Sequence, residues 1–289
     1  ADEEIYRAAC NYQGNMFIQK DRPDHLEMRK VVHRYFTPKS MEEWRPLVIS
    51  ATNQLLDEAE SKTDVDLMLD LAVPLPLLVI AEMMGVPEED RRYRRTLAEK
   101  LLFNNRGEPD RYRTYVDGMT GMFDYVSPLI DERKENPGDD FISVLAGGEK
   151  DGIFTREQSL ANTALLLIAG HETTINLICN GTKSFMENRD QWDLFKTDTE
   201  GMMVRAAEEA LRYDSPVKSL PRIALEDVEL GGKTIKKDDR VRWIIPSANR
   251  DPEKFDNPDT MDITRWPNPH VAFGAGVHHC LGATIARVE

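Results

Sequence analysis

Between about Ser40 and Tyr213 apolar residues recur mainly at helical spacing, interrupted by proline and glycine. Ser40 followed by Glu43, just after Pro38, is a capping-box pattern that predicts a helix toward Glu60. Further helices are predicted near 66–85, 88–103, 110–135 and 139–147, with Gly85-Val86-Pro87 and Asn136-Pro137-Gly138 as stops. Thr155-Arg156-Glu157-Gln158 is a second capping box. It launches an apolar-rich stretch that reaches about Asn188 without proline, long enough to have to lie across or through the core. After Asp214 the texture changes. Val228-Glu229-Leu230, Gly231-Gly232 and Lys233-Thr234-Ile235 predict a hairpin with a two-residue turn, and Val241–Ile245 predicts another strand. No internal repeat or low-complexity tract marks a linker, so the expectation is a mainly α chain with a small β region, forming one domain over 1–289.

Composition narrows the partners. The chain has 289 residues, of which 40% are hydrophobic, ample for a core. Its 37 Lys+Arg against 51 Asp+Glu give a net charge of -14, which argues against nucleic acid as a partner. Cys10, Cys179 and Cys280 are odd in number and far apart, which fits a reducing compartment better than a disulfide framework. The longest apolar runs, Leu71–Ala81 and Ala164–Gly170, fall short of the ~20 residues of a membrane span. A cytoplasmic, monomeric protein is expected.

The chemistry concentrates in Phe273-Gly274-Ala275-Gly276-Val277-His278-His279-Cys280-Leu281-Gly282. A cysteine at the end of a glycine-containing loop and the start of a helical stretch, Ala283 to Glu289, sits where backbone N–H groups and the helix dipole favour a thiolate. Gly274, Gly276 and Gly282 would let the backbone approach a large flat ligand beside Phe273, the arrangement an iron-ligating thiolate needs. A buried structural cysteine after an ordinary turn is the competing reading. Against it, the pattern Phe-x-x-Gly-x-His/Arg-x-Cys-x-Gly arises by chance about once in a few million starting positions.

With this loop the sequence resembles the cytochrome P450 family, of the soluble bacterial type. The resemblance implies the P450 fold, with haem b between the long helix and the cysteine loop. It implies Cys280 as axial iron ligand and His278 as a contact to a haem propionate. Ala169-Gly170-His171-Glu172-Thr173-Thr174, in the middle of the long helix, matches the family's Ala/Gly-Gly-x-Asp/Glu-Thr-Thr/Ser segment. There Gly170 would open a groove for dioxygen beside Ala169, Thr173 would hydrogen-bond the dioxygen and Glu172 would relay protons. An acid and an alcohol among Leu165–Ile168 and Ile175–Ile178 are costly to bury without such a role.

Glu209-Ala210-Leu211-Arg212 matches by position, since Glu-x-x-Arg also begins at Glu4, Glu42, Glu88, Glu89 and Glu108. Only Glu209 lies between the Thr173 helix and the cysteine loop, where the family's pair stabilises the core. His25 and Arg29, one helical turn apart, and Arg222 match propionate donors, with Asp21-Arg22-Pro23-Asp24-His25 departing from the family's Asp-Pro-Pro-x-His lead-in at Arg22. Asn249-Arg250-Asp251-Pro252 and Phe255-x-x-Pro258 add a further match.

The implied activity is monooxygenation of a small apolar molecule, in a pocket lined by Leu165, Leu166, Ala169, Val217 and Leu220. A peroxide-driven peroxygenase and a haem-binding sensor or carrier are the alternatives, both less compatible with the acid–alcohol pair. A cysteine hydrolase would need Cys280 aligned with a neighbouring histidine in a tight loop. No flavin, nicotinamide or iron–sulfur fingerprint is present, so electrons are expected from ferredoxin and ferredoxin reductase. Lys20, Arg22, Arg29, Lys30, Arg34 and Lys39 against Asp21, Asp24 and Glu27 leave 6 - 3 = +3 between Lys20 and Lys39, a docking surface for an acidic ferredoxin. At 289 residues the chain is short for the family and is expected to be incomplete or incompletely ordered at both ends.

Overall fold

Caps and prolines set the helix boundaries in the computed structural model, which describes residues 2–87 and 110–289. The helix expected over 88–103 lies outside the described residues. Helices α1 (Asp2–Gly14) and α2 (Asp24–His33) flank a 3-10 turn at Phe17–Gln19. The helix expected to open at Ser40 is two pieces, α3 (Pro38–Glu42) and α4 (Arg45–Glu60). The cap is Thr37, not Ser40: Thr37 Oγ1 accepts from the Ser40 N–H at 3.2 Å, and Pro38 takes the first position, where its missing N–H costs nothing. Pro46 cannot donate back to the preceding turn, which forces the restart at Arg45.

The helix expected over 66–85 comes as a π turn at Met68–Ala72 followed by α5 (Pro74–Met83). Helices α6 (Arg111–Glu135) and α7 (Phe141–Lys150) follow, the latter capped by Asp140, which accepts from the Ser143 N–H at 2.7 Å. The second capping box forms reciprocally: Gln158 N–H donates to Thr155 Oγ1 at 3.2 Å, and Thr155 N–H to Gln158 Oε1 at 2.9 Å. It opens α8 (Arg156–Glu187), 32 residues and about 48 Å long.

Beyond it come α9 (Arg189–Thr197) and α10 (Thr199–Tyr213). The expected hairpin is β2 (Val228–Leu230) with β3 (Lys233–Ile235), closed by Gly231 and Gly232 at φ 57 and 73. Only glycine takes both left-handed positions readily. The strand expected at Val241–Ile245 is β4 (Arg240–Ile244), and it pairs antiparallel with β1 (Ser219–Ile223). Pro221 obscures β1 in the sequence, yet a two-stranded ribbon has only edges, where proline is tolerated. Short helices α11 (Ile245–Ala248) and α12 (Ile285–Val288) complete the order.

Two compact units result: Ala1–Ile175 with Leu281–Glu289, and Asn176–Cys280. Helix α8 contributes residues 156–175 to the first and 176–187 to the second. In the first unit α6 packs on α1 and α7, α7 on α2, and α4 on α5, burying Val32, Val79, Met119, Val126 and Leu145. In the second, Phe185, Ala206, Met261 and Ile263 form a core closed by Trp192, whose ring meets Phe185 edge-on at 5.7 Å. Cys10, Cys179 and Cys280 form no disulfide. Among the described residues no helix is long and apolar enough to cross a membrane.

Candidate functional site

The cysteine loop, in the second unit, is shaped by its own backbone. Gly274 and Gly276 stand at φ 71 and 72, a region other residues occupy only with strain. The Cys280 N–H closes the loop on Phe273 O at 2.8 Å, and the His279 N–H bonds Gly276 O at 3.1 Å. Cys280 is exposed, so the thiol is presented and not packed away as a small hydrophobe. A Cβ at Gly276 would meet no atom within 4 Å, while one at Gly274 would stand 3.9 Å from His278 O and from Leu220 Cδ1. Leu220 on β1 therefore lies beside the loop. Val217, which precedes that strand, is half-buried, as is His278 within the loop.

One expectation about this segment is corrected. Residues 281–284 form turns and α12 starts only at Ile285, so Cys280 does not stand at a helix N-terminus; its placement rests on the loop bonds. At Gly282 a Cβ would make ordinary van der Waals contact with Ile285 Cγ2 at 3.6 Å.

Sequence reading missed the lead-in to the loop. His270 Nε2 donates to Glu208 Oε2 at 3.1 Å while its Nδ1 accepts from the Ala272 N–H at 3.2 Å, and its ring lies 6.1 Å from that of Phe273. A single histidine and a glutamate 62 residues apart carry no spacing signal.

Glu209 and Arg212 are both fully buried. Arg212 Nε and Nη2 bind the two Glu209 oxygens at 2.8 and 2.7 Å. The remaining guanidinium protons go to Asn249 O (3.0 Å), Pro258 O (2.7 Å) and Thr260 O (3.0 Å), so every donor of the fork is used. Glu209 also accepts from the Asp262 N–H at 2.8 Å and from Asn268 Nδ2 at 3.0 Å. Asn249 passes the order on: Nδ2 donates to Ser215 Oγ at 2.9 Å and Oδ1 accepts from the Val271 N–H at 2.8 Å, two residues before Phe273.

In the first unit, α8 buries Ala161, Ala164, Leu165 and Leu167, and then exposes Ala169. Leu165 is thus a core residue here, and Leu166 is half-buried. Gly170 is close-packed on its other side, where a Cβ would come within 2.9 Å of Ile80 Cδ1. Thr173 Oγ1 donates to Ala169 O at 2.7 Å and Thr174 Oγ1 to Gly170 O at 3.0 Å. Two successive back-bonds of this kind loosen a helix locally. Glu172 is exposed beside them. His171 points the other way: buried, it donates from Nε2 to Val73 O at 3.0 Å, and burial holds its pKa below the usual histidine range, so it is the neutral tautomer that clamps α8 to the start of α5.

The expected carboxylate donors are placed separately. On α2, His25 is fully buried against Phe17 and Arg29 is half-buried one turn on. Arg222 stacks its guanidinium 4.9 Å above the Trp243 ring and donates to Pro221 O at 2.7 Å. Lys30, Arg34 and Lys39 are exposed.

An exposed thiol on a glycine-opened loop and an exposed alanine beside an acid–alcohol pair in a long helix are what a haem-thiolate site requires of the protein. Open space beside Gly276, where a side chain would otherwise stand, fits a large flat group. The cytochrome P450 family model matches residues 202–289. The chain is 37% identical over 287 residues to the biotin biosynthesis cytochrome P450 of Bacillus subtilis (strain 168), covering 98% of this chain and 72% of that relative. This chain belongs to the cytochrome P450 family. It is 37% identical to the steroid C26-monooxygenase of Rhodococcus jostii (strain RHA1), covering 99% of this chain and 60% of that one. The structure of P450BioI in complex with an acyl carrier protein ligated to hexadec-9Z-enoic acid is similar with a TM-score of 0.91 at 36% identity, over 98% of this chain and 74% of that chain. CYP109E1 from Bacillus megaterium in complex with corticosterone is similar at 0.88 and 40%, over 95% and 75%. As a P450 the protein is a haem-thiolate monooxygenase, using haem b, O2 and electrons from redox partners.

Proposed function

We propose that this P450 acts as one haem domain that hydroxylates or epoxidises a small apolar substrate, with electrons from an acidic ferredoxin and its reductase in the cytoplasm. The observation that carries this reading is the acid–alcohol pair of α8, Glu172 exposed and Thr173 Oγ1 held at 2.7 Å from Ala169 O. In this reading Cys280 ligates the iron through its thiolate, His25, Arg29, Arg222 and His278 hold the haem carboxylates, and Gly274 and Phe273 flank the ring. When bound, the haem supplies reductive activation of O2 and transfer of one oxygen atom into the substrate. Glu172 collects protons from solvent at its carboxylate and passes them toward the Thr173 hydroxyl. Thr173 Oγ1, oriented by the Ala169 carbonyl, delivers them. Leu166, Ala169, Val217 and Leu220 give the substrate an apolar wall and keep water away. Relatives solved with a fatty-acyl carrier protein and with corticosterone support an apolar skeleton. The test is oxygen-isotope incorporation from labelled O2 with ferredoxin, reductase and a panel of fatty acids and steroids; turnover with peroxide and none with this electron supply overturns the reading.

Two outcomes follow from the named residues. Thr173→Ala keeps substrate binding and haem but wastes electrons as peroxide, lowering product per electron by ~10-fold or more, as for removal of a general acid–base group. Unchanged coupling would show that the hydroxyl is not in the proton path. Charge reversal at Lys30 and Arg34, both exposed on or just after α2, slows ferredoxin reduction by ~10-fold at low ionic strength and flattens its salt dependence. Stopped-flow reduction measures both; identical traces for variant and parent exclude this surface.

A further inference from the structure

The 3-10 turn Phe17–Gln19 links α1 to α2, and its leading N–H groups have no acceptor within the turn. Met16 stands at the cap position in extended backbone, and its side chain makes no capping bond. The acceptor comes from another element. Asn162 of α8 offers Oδ1 to the Phe17 N–H at 2.9 Å, while its Nδ2 donates to Asn15 O at 3.3 Å and to Gln158 O at 2.7 Å. Asn162 is 1% exposed. An amide buried beside Ala161, Ala164 and Leu165 would be costly without these partners, and both of its Nδ2 protons are used. The bond to Gln158 O is a local back-bond of the kind Thr163 also makes, to Ser159 O at 3.0 Å. The bonds to Asn15 and Phe17 are different: they need an acceptor and a donor on one planar group, which a hydroxyl does not provide.

What the turn carries is His25. Gln19 N–H donates to Met16 O and Lys20 N–H to Phe17 O, both at 3.0 Å, so the turn is a closed unit. The Phe17 ring is buried and lies 6.1 Å from the imidazole of His25, itself fully buried in the first turn of α2. Asn162, Leu166, Ala169 and Thr173 follow at i, i+4, i+7 and i+11, one face of α8. The turn is therefore held on the face that also carries Ala169 and Thr173.

We propose that Asn162 is a positioning residue for His25: by capping the 3-10 turn from α8 it fixes Phe17, and with it the place of the imidazole that meets a haem carboxylate. The inference rests on the reading of His25 as a haem-carboxylate contact. Without the amide, the Phe17 N–H and the Asn15 carbonyl must find water or other partners, the turn shifts, and the ring that backs His25 shifts with it.

Transfer of haem from the holoenzyme to excess apomyoglobin, followed by absorbance, tests this in a cycle of Asn162→Leu with His25→Leu. His25→Leu is expected to speed haem loss about tenfold, the size of one charge-assisted hydrogen bond. Asn162→Leu speeds it ~3- to 10-fold in the parent and by less than about twofold in His25→Leu, because the two residues act along one path. Unchanged haem loss in Asn162→Leu overturns the inference. So does an equal acceleration in both backgrounds, since a purely structural asparagine would act whether or not the histidine is there. Where Asn162→Leu does not fold, Asn162→Ser, which leaves room for water on the freed N–H and carbonyl, completes the same cycle with the same two criteria. The two readings fail differently. Haem loss unchanged by His25→Leu removes the histidine's role and the inference with it, whereas a strong His25→Leu effect that is additive with Asn162→Leu removes the inference alone.

Discussion

Cys280→Ser removes the red-shifted, thiolate-type Soret band that the reduced parent protein gives with carbon monoxide, and with it all monooxygenase turnover. The reason is ligand chemistry. A thiolate forms within reach of neutral pH and donates strongly to iron, whereas a serine hydroxyl stays protonated and offers a weak oxygen. The fold should be indifferent to the change. Cys280 contributes to the loop through its backbone N–H to Phe273 O, which serine retains, and its side chain is exposed, so no cavity is left. Stability by urea unfolding without haem is expected to agree with the parent within ~0.5 kcal/mol, the range of a surface substitution. The two measurements separate the outcomes: a lost band with an intact fold assigns the ligand, and a band retained by Cys280→Ser moves the ligand elsewhere.

What the sequence made legible follows from how local each feature is. The cysteine loop and the Ala169–Thr174 segment are short and contiguous, and the glycines at 274 and 276 report left-handed backbone that no partner has to supply. The Thr155 box was equally readable, because both halves of its hydrogen-bonded pair lie within four consecutive residues. At Ser40 the same pattern misled, since Thr37 stands one residue before Pro38 and captures the cap first. Strand β1 was hidden because its pairing with β4 is a tertiary fact and Pro221 argues locally against a strand. His270 with Glu208, and Glu289 with Thr174, join residues distant in the chain, and no spacing rule finds them.

Arg212→Ala is expected to destabilise the protein by about 3–5 kcal/mol, because it removes both guanidinium bonds of a fully buried carboxylate, leaving it Arg265 Nε at 3.4 Å, and takes the guanidinium donors from the carbonyls of Asn249, Pro258 and Thr260. Arg212→Lys rescues little. An ammonium has three donors and no planar fork, so it cannot meet two carboxylate oxygens and three carbonyls together. Glu209→Gln keeps the shape but loses the charge, and it misdirects an NH2 toward a guanidinium or toward the Asp262 N–H; it falls between these two. The loss reaches the site through Asn249, whose carbonyl is held by Arg212 and whose side chain fixes the Val271 N–H, so haem occupancy should drop before the helices melt. An internal control separates burial from motif. Glu42 and Arg45 repeat the same spacing with comparable contacts, 2.6 and 3.0 Å, but both are solvated. There Arg45→Ala is expected to leave the urea midpoint unmoved, since water replaces the lost partner. Equal effects at the two pairs would mean that the local i,i+3 bond, and not the buried network reaching toward the cysteine loop, is what Glu-x-x-Arg contributes.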